Sequence, residues 1–189
     1  MRKTALSLLL TLTATLAPAQ SAPVDTARSK LTIHVEKSGL FSAFAHNHVI
    51  EAPIASGQLD TEKRIVSLSF NTKEMKVLDE GIKESERADI DQTMKGDKVL
   101  DVARFPEIRF VSSAITPQDH DRFQVHGDLS LHGVTKPVEL PVSFANGRYT
   151  GSIKMKQTDF GIAPVSIAGG TVKVKDVIEI VFEIVPGKN

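Results

Sequence analysis

The stretch that decides the fold is residues 138–156, VELPVSFANGRYTGSIKMK. Apolar side chains recur at alternate positions on both sides of its centre, and the dipeptide Asn146-Gly147 separates the two runs. Alternation with a period of two is typical of a strand with one buried face. Because Asn-Gly between two such runs favours a two-residue turn, the stretch predicts an antiparallel hairpin. Its predicted buried face carries Val138, Leu140, Val142, Phe144, Tyr149, Ile153 and Met155.

The same alternation continues outward along most of the chain. Apolar and polar residues alternate in strand-length runs near residues 31–35, 66–70, 108–110, 123–131 and 178–184. Strands of this kind belong to an antiparallel sheet with one solvated face. Closing such a sheet removes its exposed edges. We therefore predict an all-β fold, a single antiparallel up-and-down β-barrel of about eight strands.

One segment departs from the strand pattern. Residues 83–94 are good helix formers, with Ser85 as a candidate N-cap and Gly96 as the terminating residue. Ile90 and Met94 are four residues apart and share one helix face. We predict a short helical insertion that covers one opening of the barrel.

The N-terminus has the pattern of a secretory signal. Arg2 and Lys3 precede an apolar run, which ends at Ala17-Pro18-Ala19, a box of small residues suited to signal peptidase. We predict a signal peptide over residues 1–19 and a mature domain over residues 20–189. The signal directs the protein to the periplasm or outside the cell, and no later run is long or apolar enough to predict a transmembrane helix.

Composition excludes several functional classes. The chain has 23 basic and 23 acidic side chains, interleaved along the sequence, and no Cys. Nucleic-acid binding usually requires a clustered basic surface, and thiol catalysis and Cys-ligated metals require Cys. The sequence also has no nucleophile elbow, phosphate loop or HExxH helix. We therefore predict a binding protein rather than an enzyme, with no nucleic-acid partner.

Three sequence motifs carry a resemblance to a known family. They are residues 105–110, FPEIRF, residues 127–138, GDLSLHGVTKPV, and residues 158–162, TDFGI. In this order they resemble the YceI family of exported lipocalin-like proteins. The resemblance implies a lipocalin-like barrel whose apolar cavity holds a polyisoprenoid or a similar lipid-like amphiphile. It implies no other cofactor and does not indicate an oligomeric state.

The inward positions of the predicted strands supply an apolar wall suited to such a ligand. We predict that the lipid-binding residues are Phe44, His46, His48, Phe70, Phe110, Phe123, Leu129, Leu131, Ile153 and Phe182. An eight-stranded barrel is also just wide enough for its own side chains to fill. A structural module with a filled core is therefore an alternative to a carrier or reservoir.

His46 and His48 support a further alternative. In a strand, both imidazoles point to the same face, and we expect them near the head group of a ligand at the barrel mouth. Two His at this spacing can also chelate a transition metal if other ligands approach. A metal-binding protein is therefore an alternative, although we do not expect a metal because a lone His-x-His is a weak signal.

Overall fold

The computed structural model describes residues 21–38, 47–60, 62–167 and 172–188. Within this part of the chain there are twelve strands and one α-helix. The helix is α1 (Glu84–Lys95), and single 3₁₀ turns cover Thr72–Glu74 and Gln157–Phe160. The strands are β1 (Ser21–Pro23), β2 (Lys30–Ser38), β3 (His48–Glu51), β4 (Ile54–Asp60), β5 (Ile65–Asn71), β6 (Lys76–Val77), β7 (Glu107–Pro117), β8 (Arg122–Leu131), β9 (Val134–Ala145), β10 (Arg148–Lys156), β11 (Ser166–Ile167) and β12 (Val172–Ile184).

All the strands belong to one antiparallel sheet, in the order β1-β4-β5-β7-β8-β9-β10-β12-β2-β3-β6, with β11 paired to β12. Eight strands have seven residues or more. Most long strands neighbour the next one along the chain, as in an up-and-down barrel. The predicted antiparallel fold of about eight strands is confirmed, with four short strands in addition.

The sheet curls until its two sides meet at a single bridge. Val24, just after β1, bridges to Pro186, just after β12. Two hydrogen bonds flank this bridge, from Asp25 N to Val185 O at 2.9 Å and from Gly187 N to Pro23 O at 2.7 Å. Because Pro23 has no N–H, it cannot donate the next bond that would extend this pairing towards Gly187. One bridge therefore takes the place of the ladder that a fully closed barrel would have.

The 138–156 stretch forms the predicted hairpin. Ala145 pairs with Arg148 across Asn146-Gly147, and both turn residues have positive φ, 52° and 73°. This is the backbone that a two-residue hairpin turn requires.

A bulge in β7 adds apolar residues to the interior. The register between β7 and β8 shifts between Ser112 and Ala114, which moves the next residues to the other face. Phe110 faces inward before the bulge, and Ile115 and Pro117 face the same interior after it. Alternation read from the sequence does not reveal this shift.

The helix covers one end of the barrel. Met94 on α1, followed by Val99 and Leu100, is buried against Ile50 and Met75. Phe160, only 2% exposed, closes the same end from the 157–160 turn. We call this the capped end. The opposite end, where the 62–64, 118–121 and 146–147 turns lie, is the mouth.

The predicted helix bounds are confirmed to within one residue, and Gly96 ends the helix as expected. The predicted cap is wrong. Lys83 occupies the N-cap position, without a side-chain hydrogen bond, and Ser85 lies inside the first turn. Packing of Met94 and a hydrogen bond from Arg87 Nη1 to Val77 O at 3.1 Å anchor the helix instead.

Candidate functional site

The barrel encloses a cavity of about 360 Å³ that reaches the surface at the mouth. Its wall comes from the inward faces of the long strands and is almost wholly aliphatic or aromatic. At the mouth, Ile65 is 40% exposed. A concave apolar space of this size is typical of a small-molecule site.

A second cavity, of about 120 Å³, lies beneath the cap. Met94, Leu100 and Phe160 form part of its wall. The two cavities share the lining residues Leu31, Phe70, Leu129, Met155 and Ile180. The two cavities are therefore adjacent along the barrel, with these five side chains between them.

Two strand glycines help to keep this interior hollow. A Cβ at Gly127 would lie 2.6 Å from ring atoms of Phe110, and a Cβ at Gly151 would lie 2.5 Å from the Phe182 ring. Because neither glycine has a side chain, the two rings can lie close against the neighbouring strands. Bulkier residues at either position would push a ring towards the cavity.

Most of the predicted lining residues are brought together. Phe70, Phe110, Phe123, Leu129, Ile153 and Phe182 line the larger cavity, and Leu131 lines the smaller one. Phe44 and His46 lie outside the described residues. The described interior is not filled by its own side chains, which removes the structural support for a filled-core module.

His48 lies at the capped end rather than the mouth. On β3 it pairs with Val35 of β2, and it is not among the residues that line either cavity. Its Nδ1 is 2.6 Å from Oδ2 of Asp79, whose side chain is 3% exposed. The backbone N–H of Val49 donates to the other carboxylate oxygen at 2.8 Å. The expectation that His48 lies at the mouth is therefore wrong, because β3 runs antiparallel to β2 and starts at the far end.

Other histidines have separate contacts. His34 contacts Thr32, His126 faces Glu139, and His132 Nδ1 is 3.3 Å from the carbonyl of Phe160. The described residues contain no group of three His, Asp or Glu side chains that could hold a metal ion. A metal site would need His46 together with His48, and His46 lies outside the described residues, so this alternative stays untested.

The mouth has two charged residues that sequence reasoning missed. Asp60, at the end of β4, and Arg64, in the 62–64 turn, line the larger cavity. Asp60 accepts a hydrogen bond from the backbone N–H of Lys63 at 2.8 Å, and this bond lowers the pKa of its carboxyl. A polar turn between two strands is ordinary in sequence, so no pattern distinguishes these charges from other surface charges.

Tyr149 also lines the cavity. Its ring packs against Phe144 and Phe123, with centroid distances of 4.6 and 6.4 Å. Burial raises the pKa of its phenol, so the group is neutral at physiological pH. Beyond Asp60 and Arg64, the described wall of the larger cavity therefore has no charge that an apolar chain would need to avoid.

No described helix has the length and apolar character needed to cross a membrane. The predicted signal peptide lies outside the described residues.

Comparison with solved structures shows the same fold. BcnA of Burkholderia cenocepacia superposes with a TM-score of 0.60 at 20% identity, over 85% of this chain and 98% of that one. A Campylobacter jejuni YceI protein gives a TM-score of 0.52 at 13% identity, over the full length of both chains. At these identities the likeness shows the fold alone.

Sequence comparison reaches closer relatives over shorter regions. A UPF0312 protein of Pseudomonas syringae pv. syringae is 36% identical over 86 residues, 40% of this chain and 44% of the relative. A UPF0312 protein of Shewanella denitrificans is 32% identical over 107 residues, 51% of this chain and 56% of the relative. The chain thus spans about half the length of these relatives.

A profile of the YceI-like domain matches residues 23–185, nearly the whole of the described sheet and its cap. The three sequence motifs fall within this region, as do all the described residues that line the larger cavity. The chain belongs to the YceI-like domain family.

Proposed function

We propose that this protein holds a lipid-like amphiphile, a polyisoprenoid or a similar molecule, inside the barrel and acts as its carrier or reservoir. The observation that carries the proposal is the apolar cavity of about 360 Å³ that opens at the mouth. The family match supports a small hydrophobic ligand. The signal-like residues 1–19 favour a role in the periplasm or outside the cell.

The chemistry of the wall suits a hydrocarbon chain. Each buried methylene contributes about 0.8 kcal/mol, without any directional bond. No buried side-chain nitrogen or oxygen in the described residues lacks a hydrogen-bond partner, so a hydrocarbon would leave no polar group newly stranded. Favourable transfer from water is therefore sufficient to drive binding.

The available volume sets an approximate chain length. An apolar cavity of about 150 Å³ can hold a benzene ring. By proportion, the larger cavity accommodates about 14 carbon atoms, and the two cavities together about 19. This corresponds to three or four isoprene units, unless the barrel expands around a longer ligand.

Leu129→Glu tests the proposal. Leu129 is 9% exposed and lines both cavities, so a carboxylate here would have to lose its hydration beside the ligand, at a cost of several kcal/mol. The matched control is Ser130→Glu, because Ser130 lines neither cavity and pairs with Arg109 on the neighbouring strand. Lipid extracted from protein purified from its exported compartment is measured by mass spectrometry for both variants and the wild type.

We expect lipid in the wild type and in Ser130→Glu, and none in Leu129→Glu. Because Leu129→Glu also weakens folding, Ile153→Trp provides an uncharged variant that occupies the cavity with its own ring, and we expect it to carry less lipid. Circular dichroism checks the sheet in each variant. Equal lipid in every folded variant, or none in the wild type, would contradict the proposal.

A further inference from the structure

We infer that the ligand carries a compact anionic head group, a carboxylate or a phosphate, which binds Arg64 at the mouth. This inference rests on the proposed function and specifies the class of amphiphile that the barrel takes.

The distribution of charge along the cavity wall is the first observation. Apart from Asp60 and Arg64, every residue that lines the larger cavity is aliphatic, aromatic, Met or Pro. The neutral phenol of Tyr149 adds no charge. The wall of the larger cavity therefore accommodates an apolar chain over most of its length and a charged group at one place, the 62–64 turn. Lys156 lines only the smaller cavity, at the capped end.

The two charged residues differ in their partners. Asp60 is held by Lys63 through the backbone N–H at 2.8 Å and through Nζ at 3.4 Å, and its side chain is 14% exposed. Arg64 is exposed and has no hydrogen bond or ion pair with another described residue. Asp60 therefore already has a cationic partner, whereas the Arg64 guanidinium is available for an anion.

A guanidinium is well suited to this role. It stays charged at any physiological pH, and its planar set of donors matches carboxylate and phosphate oxygens. Glu62, in the same turn, is exposed and does not line the cavity. An anion beside Arg64 would thus meet a free cation at the edge of an apolar wall, where water screens the charges less than in bulk solvent.

The construction of the barrel sets the direction of the ligand. Met94, Leu100 and Phe160 close the far end, each less than 9% exposed, whereas Ile65, next to Arg64, is 40% exposed. A single-chain amphiphile that enters tail first through the mouth places its apolar chain against the aliphatic and aromatic wall. Its head group then remains beside the 62–64 turn.

Binding of matched pairs of ligands to the delipidated full chain tests the inference. One pair is tetradecanoate and tetradecanol, and the other is farnesyl phosphate and farnesol, so each pair has one chain with and without an anionic head. Affinities are measured by calorimetry for the wild type, Arg64→Gln and Arg122→Gln. Arg122 is the matched control because it is an exposed arginine at the same end that does not line the cavity.

We expect at least one anion to bind the wild type about tenfold or more tightly than its alcohol, the value of a charge-assisted hydrogen bond. Arg64→Gln should remove this preference and leave the affinity for the alcohol unchanged. Arg122→Gln should change the preference by less than about threefold, as for an exposed charge. A preference confined to one pair would identify the source of the anion as a fatty acid or an isoprenyl phosphate.

Equal affinities for acid and alcohol in the wild type, or equal effects of the two substitutions, would overturn the inference, while binding of the alcohols would still uphold the cavity function. Tighter binding of tetradecyltrimethylammonium than of tetradecanoate would also overturn it, and would assign the head-group site to Asp60. If none of these compounds binds the folded wild type, the inference and the proposed function both fail.

Discussion

At the capped end of the barrel, α1 and the 157–160 turn pack over the sheet, whereas at the mouth short turns alone connect the strands. Phe160 is 2% exposed and Met94 6%, compared with 40% for Ile65 at the mouth. The same strands run from one end to the other, so the difference in exposure comes from the segments that connect the strands at each end. Among the described residues, the helix and the 157–160 turn thus cover one end of the barrel and leave the mouth uncovered.

The difference between the capped end and the mouth also predicts where substitutions affect stability and where they affect ligand binding. Side chains beneath the cap touch protein on nearly all sides, which is where truncation costs most. Side chains near the mouth face the cavity and have fewer protein contacts to lose. We therefore expect substitutions at the capped end to act mainly on folding, and those at the mouth mainly on the ligand.

The largest expected effect is on the stability of the capped end. Phe160→Ala removes a ring that is 2% exposed, and should lower the free energy of unfolding by about 3–5 kcal/mol. Phe123→Ala, which removes a half-buried ring from the cavity wall near the mouth, should cost only about 1–2 kcal/mol. Urea denaturation of the ligand-free proteins measures both. Equal losses would show that the two ends are packed alike.

A smaller effect should appear in local opening of the cap. Only Met94 of α1 is buried, whereas β8 pairs along its length with both β7 and β9. Amides of residues 85–94 should therefore exchange at least about tenfold faster than those of residues 123–131, because few contacts hold the helix. Hydrogen exchange with mass spectrometry measures this ratio. Equal protection would show that the cap opens only when the whole barrel unfolds.

The smallest expected effect depends on pH. Asp176 accepts hydrogen bonds from Thr158 N at 2.9 Å and Thr158 Oγ1 at 2.7 Å, and these lower the pKa of its carboxyl. Since the folded pKa is the lower one, the stabilisation is present above the unfolded value of about 3.9 and is lost as the pH falls through the folded value. Asp176→Asn should therefore lower Tm at pH 7, with the difference from wild type shrinking below about pH 4.

Asp60→Asn is the comparison at the mouth. Hydrogen bonds to Lys63 likewise lower the pKa of Asp60, but they stay within one turn, whereas those of Asp176 join β12 to the turn that carries Phe160. We expect the same direction with pH and a smaller change in Tm. A larger change for Asp60→Asn, measured by thermal denaturation, would contradict this view of the cap.

Local sequence patterns predicted the elements that depend on neighbours in the chain. The alternation on both sides of Asn146-Gly147 gave the correct hairpin, because strand periodicity and turn chemistry are local. The helix ended at Gly96 as predicted. The Ser85 cap was wrong because the helix already begins after Lys83, which has no capping side-chain hydrogen bond, and packing of Met94 rather than a cap anchors the helix.

The cavity was predictable in part. Six of the residues predicted from strand alternation line the larger cavity, because alternate positions of a strand face the same side of the sheet. Ile115 and Pro117 were not predicted, because the bulge in β7 reverses the parity beyond Ser112. The alternation along a strand likewise predicts which face of the sheet His48 occupies, but not which end of the barrel it lies at. Its partner Asp79 is 31 residues away in sequence.

By itself, the sequence determined that this chain forms an antiparallel sheet with one apolar face and one short helix, because both properties follow from the spacing of side chains along a strand or helix. Only the tertiary structure decided that the apolar face surrounds a hollow rather than a filled core. That outcome depends on ring positions over Gly127 and Gly151 and on the cap over a single end. The tertiary structure likewise placed Arg64 at the mouth. Strand order and register decide which turns lie at that end, and no local sequence pattern predicts them.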